Sequence, residues 1–250
     1  MVRIILSGCT GKMGKMVSEC ADKAPNISIV AGIDLNKITN CNYPIFSNIE
    51  ECNVDADVII DFSRPATLPS LISYSSSKNI PIVICTTGYS EDEKAKILDL
   101  SSKVAVFQSA NMSIGVNLVN NVLKQISGKL FNDYDIEIIE KHHNQKVDSP
   151  SGTALLLANT IKNSIDQETE FVFGREGNKK REKNDIGIHA IRGGNIVGDH
   201  TVIFAGSGEC IELTHKAISR EVFAVGAIKA AEFIANKNPG LYNMDDLLTL

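Results

Sequence analysis

Hydrophobic positions along this chain follow two different periods, and the change from one to the other marks its organisation. Over the first hundred or so residues, short apolar runs alternate with helical stretches. Arg3–Ser7, Ile27–Ile33, Val58–Phe62, Pro81–Gly88 and Val104–Phe107 read as strands. They are too apolar to have a solvated face, which predicts a parallel sheet covered on both sides. Between the first two, Met13, Val17, Cys20, Ala21 and Ala24 share one face at helical spacing, giving a helix from about Lys12 to Lys23.

The pattern changes near Asn111. Gly115–Lys129 reads as a helix and Tyr134–Glu140 as a strand. A helix through Ala154–Ile161 follows, with Ser149 as its N-cap and Pro150 at its first position. Ile186–Arg192, Ile196–Ala205 and Glu209–His215 then read as strands joined by Gly193-Gly194 and Gly206-Ser207-Gly208, which points to antiparallel hairpins. Helical spacing returns from Arg220 to Ala235, and Asn238-Pro239-Gly240 stops it. The expected fold is α/β: a Rossmann-type parallel-sheet cofactor domain, residues 1–113 completed by 220–250, plus an α+β substrate domain, 114–219, with a mixed or antiparallel sheet.

Composition narrows the function classes. At 250 residues, 43% hydrophobic and 22% charged, this fits an ordinary soluble globular protein. A net charge of −5 argues against nucleic acid as a partner, because phosphate neutralisation needs clustered Lys and Arg. The basic cluster Lys179-Lys180-Arg181 sits among Glu176, Glu182 and Asp185 and reads as a solvated loop. No run approaches a membrane span, and none near the N-terminus resembles a signal peptide. The six cysteines show no framework spacing and fit reduced thiols in the cytoplasm.

Two segments carry candidate chemistry. Gly8-Cys9-Thr10-Gly11-Lys12-Met13-Gly14 lies between the first strand and the first helix, where glycines let the backbone approach a pyrophosphate at the helix N-terminus. Asp34 ends the second strand 20 residues past Gly14, the place of an acid that binds the adenosine ribose. An acid there repels a 2′-phosphate and favours NADH. Lys12 and Lys37 soften that repulsion, so NADPH stays open. Cys85, Thr86 and Thr87, with Ser109, Ala110, Asn111 and Met112, follow later strands and are candidate nicotinamide-side contacts.

The second segment, Glu140 to Ala154, places His142, His143 and Lys146 just before a helix start. The amides of Ser151, Gly152 and Thr153 are expected to point toward these groups, a setting for a small dicarboxylate. A metal site is not expected, since adjacent histidines on an extended segment point to opposite sides and no Cys-x-x-Cys accompanies them. His200 and His215 read as satisfied or half-buried strand residues. Arg192 is open between substrate contact and holding the loop.

With Asp61-Phe62-Ser63-Arg64-Pro65, Thr86-Thr87-Gly88-Tyr89, Asn111 to Asn117, Ile191 to Thr201 and Thr214-His215-Lys216-Ala217, these segments resemble the dihydrodipicolinate reductases over essentially the whole chain. The His-His-x-x-Lys-x-Asp-x-Pro-Ser-Gly-Thr-Ala segment is specific to that family; the glycine loop is not. The resemblance implies NAD(P)H-dependent reduction of 4-hydroxy-tetrahydrodipicolinate in the diaminopimelate route to lysine. It implies His142 as general acid/base, Lys146 as proton donor, and His143, Gly152 and Thr153 as ligands of the substrate carboxylates. It also implies a homotetramer through the substrate-domain sheet. Cys85 stands where many members have glycine, and Asn144-Gln145 replaces a more basic pair. The alternatives are another NAD-dependent reductase, such as an amino-acid dehydrogenase, and a non-catalytic NAD-sensing module.

Overall fold

The computed structural model describes residues 1–36 and 41–249. Lys37, named above for its charge, lies outside the described residues. Two compact units are present, one formed by Met1–Ile114 with Arg220–Thr249, the other by Gly115–Ser219. Their elements run β1 Val2–Ser7, α1 Lys12–Ala21, β2 Ile27–Ile33, β3 Ile45–Phe46, β4 Val58–Asp61, α2 Leu68–Lys78, β5 Ile82–Ile84, α3 Glu91–Ser101 and β6 Ala105–Gln108. There follow α4 Ile114–Leu130, β7 Asp135–His142, α5 Gly152–Asn163, β8 Glu170–Phe173, β9 Asp185–Arg192, β10 Gly198–Ala205, β11 Cys210–Ala217, α6 Glu221–Ile234, β12 Gly240–Tyr242 and α7 Met244–Leu248.

The first unit is a parallel sheet in the order β12-β6-β5-β4-β1-β2-β3. Its strands are apolar at successive positions because both faces are buried. Ile4 and Leu6 join Val17, Cys20, Ala227 and Ile234 on the side of α1 and α6. Ile5, between them in sequence, points the other way, to Leu71, Ile97 and Leu100 of α2 and α3. Three elements of this unit escaped the sequence reading. β3 is two residues long. β12 follows Asn238-Pro239, where only a helix stop was expected, and α7 follows it.

The second unit is a mixed sheet in the order β11-β10-β7-β9-β8. β10 pairs antiparallel with both β11 and β7, whereas β7, β9 and β8 are mutually parallel. One hairpin expectation therefore needs correction. Gly193-Gly194 does not turn β9 back onto β10, because β7 lies between them; only the Gly206-Ser207-Gly208 link closes a hairpin. Ile136, Ile138, Ile186, Ile188, Val202 and Phe204 bury one face of this sheet under α4 and α5. Arg181, expected in a solvated loop, instead folds back to Asp135 and Glu137 on the sheet.

Candidate active site

In the first unit the turn from β1 into α1 is as tight as its glycines suggest. Gly8 has φ +77, and a Cβ there would lie 2.4 Å from the Phe62 carbonyl oxygen. A Cβ on Gly14 would lie 2.2 Å from the Gly8 carbonyl oxygen, so helix and loop touch only because both residues lack side chains. Gly8, Thr10, Gly11 and Asp34 converge on one cavity of about 490 Å³. Such a cradle at a helix N-terminus fits a dinucleotide, with backbone amides for the pyrophosphate and Asp34 for the ribose hydroxyls.

Asp34 accepts hydrogen bonds from the Thr10 and Asn36 amides, each at 3.1 Å. Burial alone would raise its pKa, but these bonds outweigh burial and hold the carboxyl below its ordinary range. It is therefore ionised and keeps lone pairs to offer. The other expected cofactor residues are placed differently. Cys9 is buried with its thiol against Gly32, leaving only its backbone to the loop. Lys12 and Met13 open α1 without lining the cavity.

The strand-end candidates sit past β5 and β6 and do not line that cavity. The Thr86 hydroxyl donates to buried Asp61 at 2.6 Å, and Cys85 packs on the core with its thiol pushed up by burial and by Asp61. Thr87 follows them, and Ser109 and Asn111 bond one another around Ala110. Met112 is drawn into the core, its carbonyl against Gly226. Residues missed from sequence are Phe62, Ser63 and Arg64, which line the cavity from beyond β4. Their signal was available: they follow a central strand at its carboxyl end, where ligands of such sheets bind.

In the second unit the site grows out of strand alternation. Along β7, Ile136, Ile138, Glu140 and His142 face inward. The core face thus ends in two polar residues that must find partners within the protein. Register supplies them: Arg192 of β9 pairs with His142, and His200 of β10 pairs with Glu140. Glu140, 0% exposed, accepts from both Arg192 amino nitrogens at 2.8 Å, from the Ser151 amide at 3.0 Å, and from His142 Nδ1 at 2.6 Å. Burial pushes its pKa up, and these partners together bring it below the ordinary carboxylate range.

The helix start corrects the sequence reading. Ser151, not Ser149, caps α5: its backbone is extended and its hydroxyl accepts from the Ala154 amide at 3.1 Å. Pro150 accordingly lies outside the helix rather than at its first position. The Ser151 amide is taken by Glu140 and is not available to a ligand. Gly152 is exposed at the first helical position, and Thr153 after it is half-buried.

His142 is 8% exposed, whereas His143, one residue on, is half-buried. Lys146 stands in the loop between β7 and α5, paired with Asp148 at 2.9 Å, and its hydrogen bond, then its charge, depress the Asp148 pKa. Arg192 also donates to the Asp148 carbonyl at 2.7 Å, which ties it to the loop after β7. His200 shares a 3.0 Å hydrogen bond with the Ser151 hydroxyl and stands edge-on to His142, ring centres 5.2 Å apart. Burial first, then the neighbouring His142, lowers its pKa to about 4. Gly198 was missed as well; a Cβ there would come within 3.0 Å of His142 Nε2. No cluster of three or more His, Cys, Asp or Glu suited to a metal occurs among the described residues.

The model of the dihydrodipicolinate reductase N-terminus matches residues 2–112, and that of its C-terminus matches residues 115–248. A 4-hydroxy-tetrahydrodipicolinate reductase of Clostridium novyi (strain NT) is 64% identical over 99% of this chain and 98% of its own. One from Clostridium tetani (strain Massachusetts / E88) is 59% identical over 99% and 97%. Among solved structures, the dipicolinate-bound dihydrodipicolinate reductase from Paenisporosarcina sp. TG-14 shares the fold, with a TM-score of 0.83, 24% identity and 98% coverage of both chains. Matched in both halves and along its full length by such close relatives, this chain belongs to the dihydrodipicolinate reductase family.

Proposed function

We propose that this protein reduces 4-hydroxy-tetrahydrodipicolinate to tetrahydrodipicolinate with NAD(P)H and loss of water, in the diaminopimelate route to lysine. Family membership carries this reading, and the Glu140 to Thr153 segment gives it chemical content. When bound, the reduced nicotinamide supplies a hydride for ring carbon 4. The substrate loses its hydroxyl as water, leaving a conjugated imine. Hydride addition then drives electrons toward the ring nitrogen, which must take up a proton.

His142 and the Lys146 ammonium favour that charge and deliver the proton in this reading. His143 and the Gly152 and Thr153 amides at the positive end of α5 hold the two carboxylates. Gly8, Thr10 and Gly11, with the backbone of Cys9 and the amides of Lys12 and Met13 that open α1, hold the cofactor pyrophosphate, and Asp34 the adenosine ribose. The segments Cys85-Thr86-Thr87 and Ser109 to Met112 serve the nicotinamide side, chiefly by backbone. The ionised Asp34 carboxylate makes NADH the preferred coenzyme.

The working form in this reading is a cytoplasmic homotetramer assembled through the second sheet. In support, the second sheet carries its helices on one face, the cysteines are free thiols, and no described helix is long and apolar enough to cross a membrane.

A coupled assay tests the activity. A synthase condenses pyruvate with aspartate semialdehyde while nicotinamide absorbance is followed with NADH and NADPH separately. Rapid synthase-dependent oxidation is expected, faster with NADH. No oxidation with either coenzyme, in protein shown to bind NADH, would return the assignment to the amino-acid dehydrogenases.

A further inference from the structure

We propose that Glu140 is a positioning residue for the reaction: its buried carboxylate fixes the His142 ring, selects the nitrogen that exchanges protons, and ties that ring to the start of α5. This rests on the reading of His142 as a proton-handling group. An ionised carboxylate only accepts hydrogen bonds, so the 2.6 Å contact requires the hydrogen on Nδ1. Neutral His142 is thereby held as the tautomer whose lone pair is on Nε2. The strand residue beside Nε2 is Gly198, and its missing side chain leaves that nitrogen room.

The four bonds to Glu140 divide evenly. Arg192 reaches both oxygens, His142 takes Oε2 and the Ser151 amide takes Oε1. One carboxylate thus connects the proton carrier with the helix end that holds substrate carboxylates. Through its further bond to the Asp148 carbonyl, Arg192 adds the loop bearing Lys146 to the same frame.

Stability alone does not explain a carboxylate at this position. Position 140 continues the buried face of Ile136 and Ile138, where a third aliphatic side chain would pack without desolvating a charge. Well-packed apolar replacements of buried ion pairs are often neutral or stabilising. The charged groups facing His142 are Glu140 on its own strand and Arg192 from β9. His200 faces it from β10, and Lys146 is carried by the loop that follows. Glu140 is the one anion of this set in contact with the ring, so its removal disfavours the imidazolium.

The test uses the full-length protein with ¹⁵N-labelled histidine. Neutral His142 should carry its hydrogen on Nδ1; a hydrogen on Nε2 overturns the proposal without any variant. Glu140→Gln keeps the shape but turns an amide donor toward Nδ1. It should move the hydrogen to Nε2, shift the His142 limb of the pH–rate profile to lower pH, and cut kcat by about 10²-fold or more. NADH affinity should stay within about twofold. An unchanged tautomer and pH profile in folded Glu140→Gln would overturn the inference.

Should Glu140→Gln fail to fold, the parental tautomer decides alone. His142→Gln, run in parallel, separates the two levels. If it keeps full activity, the proton-handling reading itself is wrong. If it is impaired while Glu140→Gln has a normal profile, only the role of Glu140 is lost.

Discussion

Replacing Arg192 by methionine tests the energetics of the second site most directly. The guanidinium makes two bonds to Glu140, one to the Asp148 carbonyl and one to the Ile191 carbonyl, and its side chain is 20% exposed against 0% for Glu140. Removing one partner of a buried pair costs about 3–5 kcal/mol, because the remaining charge is left without compensation. Glu140 keeps His142 and the Ser151 amide, so the lower end, about 3 kcal/mol, is expected. For a chain of this size that lowers the melting temperature by about 10 °C.

The pH dependence is more diagnostic. In the parent the Glu140 pKa is depressed, so its contribution to stability is complete above the unfolded carboxylate value and fades only as pH falls through the lower folded one. Without Arg192, burial is the leading influence and raises the pKa. The variant carboxyl then relieves its strain by taking a proton. The stability gap between parent and variant should be widest near pH 8 and should narrow toward pH 5. Thermal melts of both proteins across that range decide the matter. A gap below 1 kcal/mol, or one independent of pH, would refute this account of Glu140.

Three other outcomes are expected. Lys146→Ala should cut turnover by about 10²–10⁴-fold while NADH binding, followed by titration, stays intact; a parallel fall in NADH affinity would show that the two sites are not separate. Asp34→Ala should weaken NADH by about 1–3 kcal/mol through lost charged hydrogen bonds, and unchanged affinity would remove Asp34 from the site. His200 is held at about 4 against an ordinary 6.5, so the unfolded chain takes a proton that the folded one refuses. Stability should therefore drop by roughly 3 kcal/mol as pH falls from 6.5 to 4. His200→Gln should abolish that component, and equal acid sensitivity in parent and variant would count against it.

How far the sequence carried depended on whether the relevant interactions were local. The succession of strand, glycine loop, helix, strand and acid is written within 34 residues, and it was legible as such. The order of the second sheet was not, because nothing local to β9 and β10 announces that β7 lies between them. The cap of α5 was misplaced by two residues since Ser149 and Ser151 offer the same chemistry. Only long-range contacts, Glu140 on the Ser151 amide and His200 on its hydroxyl, distinguish them. Glu140 itself left a trace that could have been used. The alternation Ile136, Ile138 carries two steps further onto Glu140 and His142, so an acid was being directed at the core face. Phe62 to Arg64 stand within the Asp61 to Pro65 segment, yet their place at the cavity depends on β4 lying next to β1.

The discontinuity of the first unit has a consequence for synthesis on the ribosome. Gly8 to Gly14 emerge first, but Ala224, Ala227, Ala231, Ile234 and Met244 complete the core against which α1 rests. β12, which borders β6, comes later than all of the second unit. A nascent chain halted after residue 219 would present the glycine loop on an unbacked helix, its apolar face open to water. Both ends of the second unit, by contrast, are already available to it at that point. The second unit can thus complete its core while the first still waits for residues 220–249.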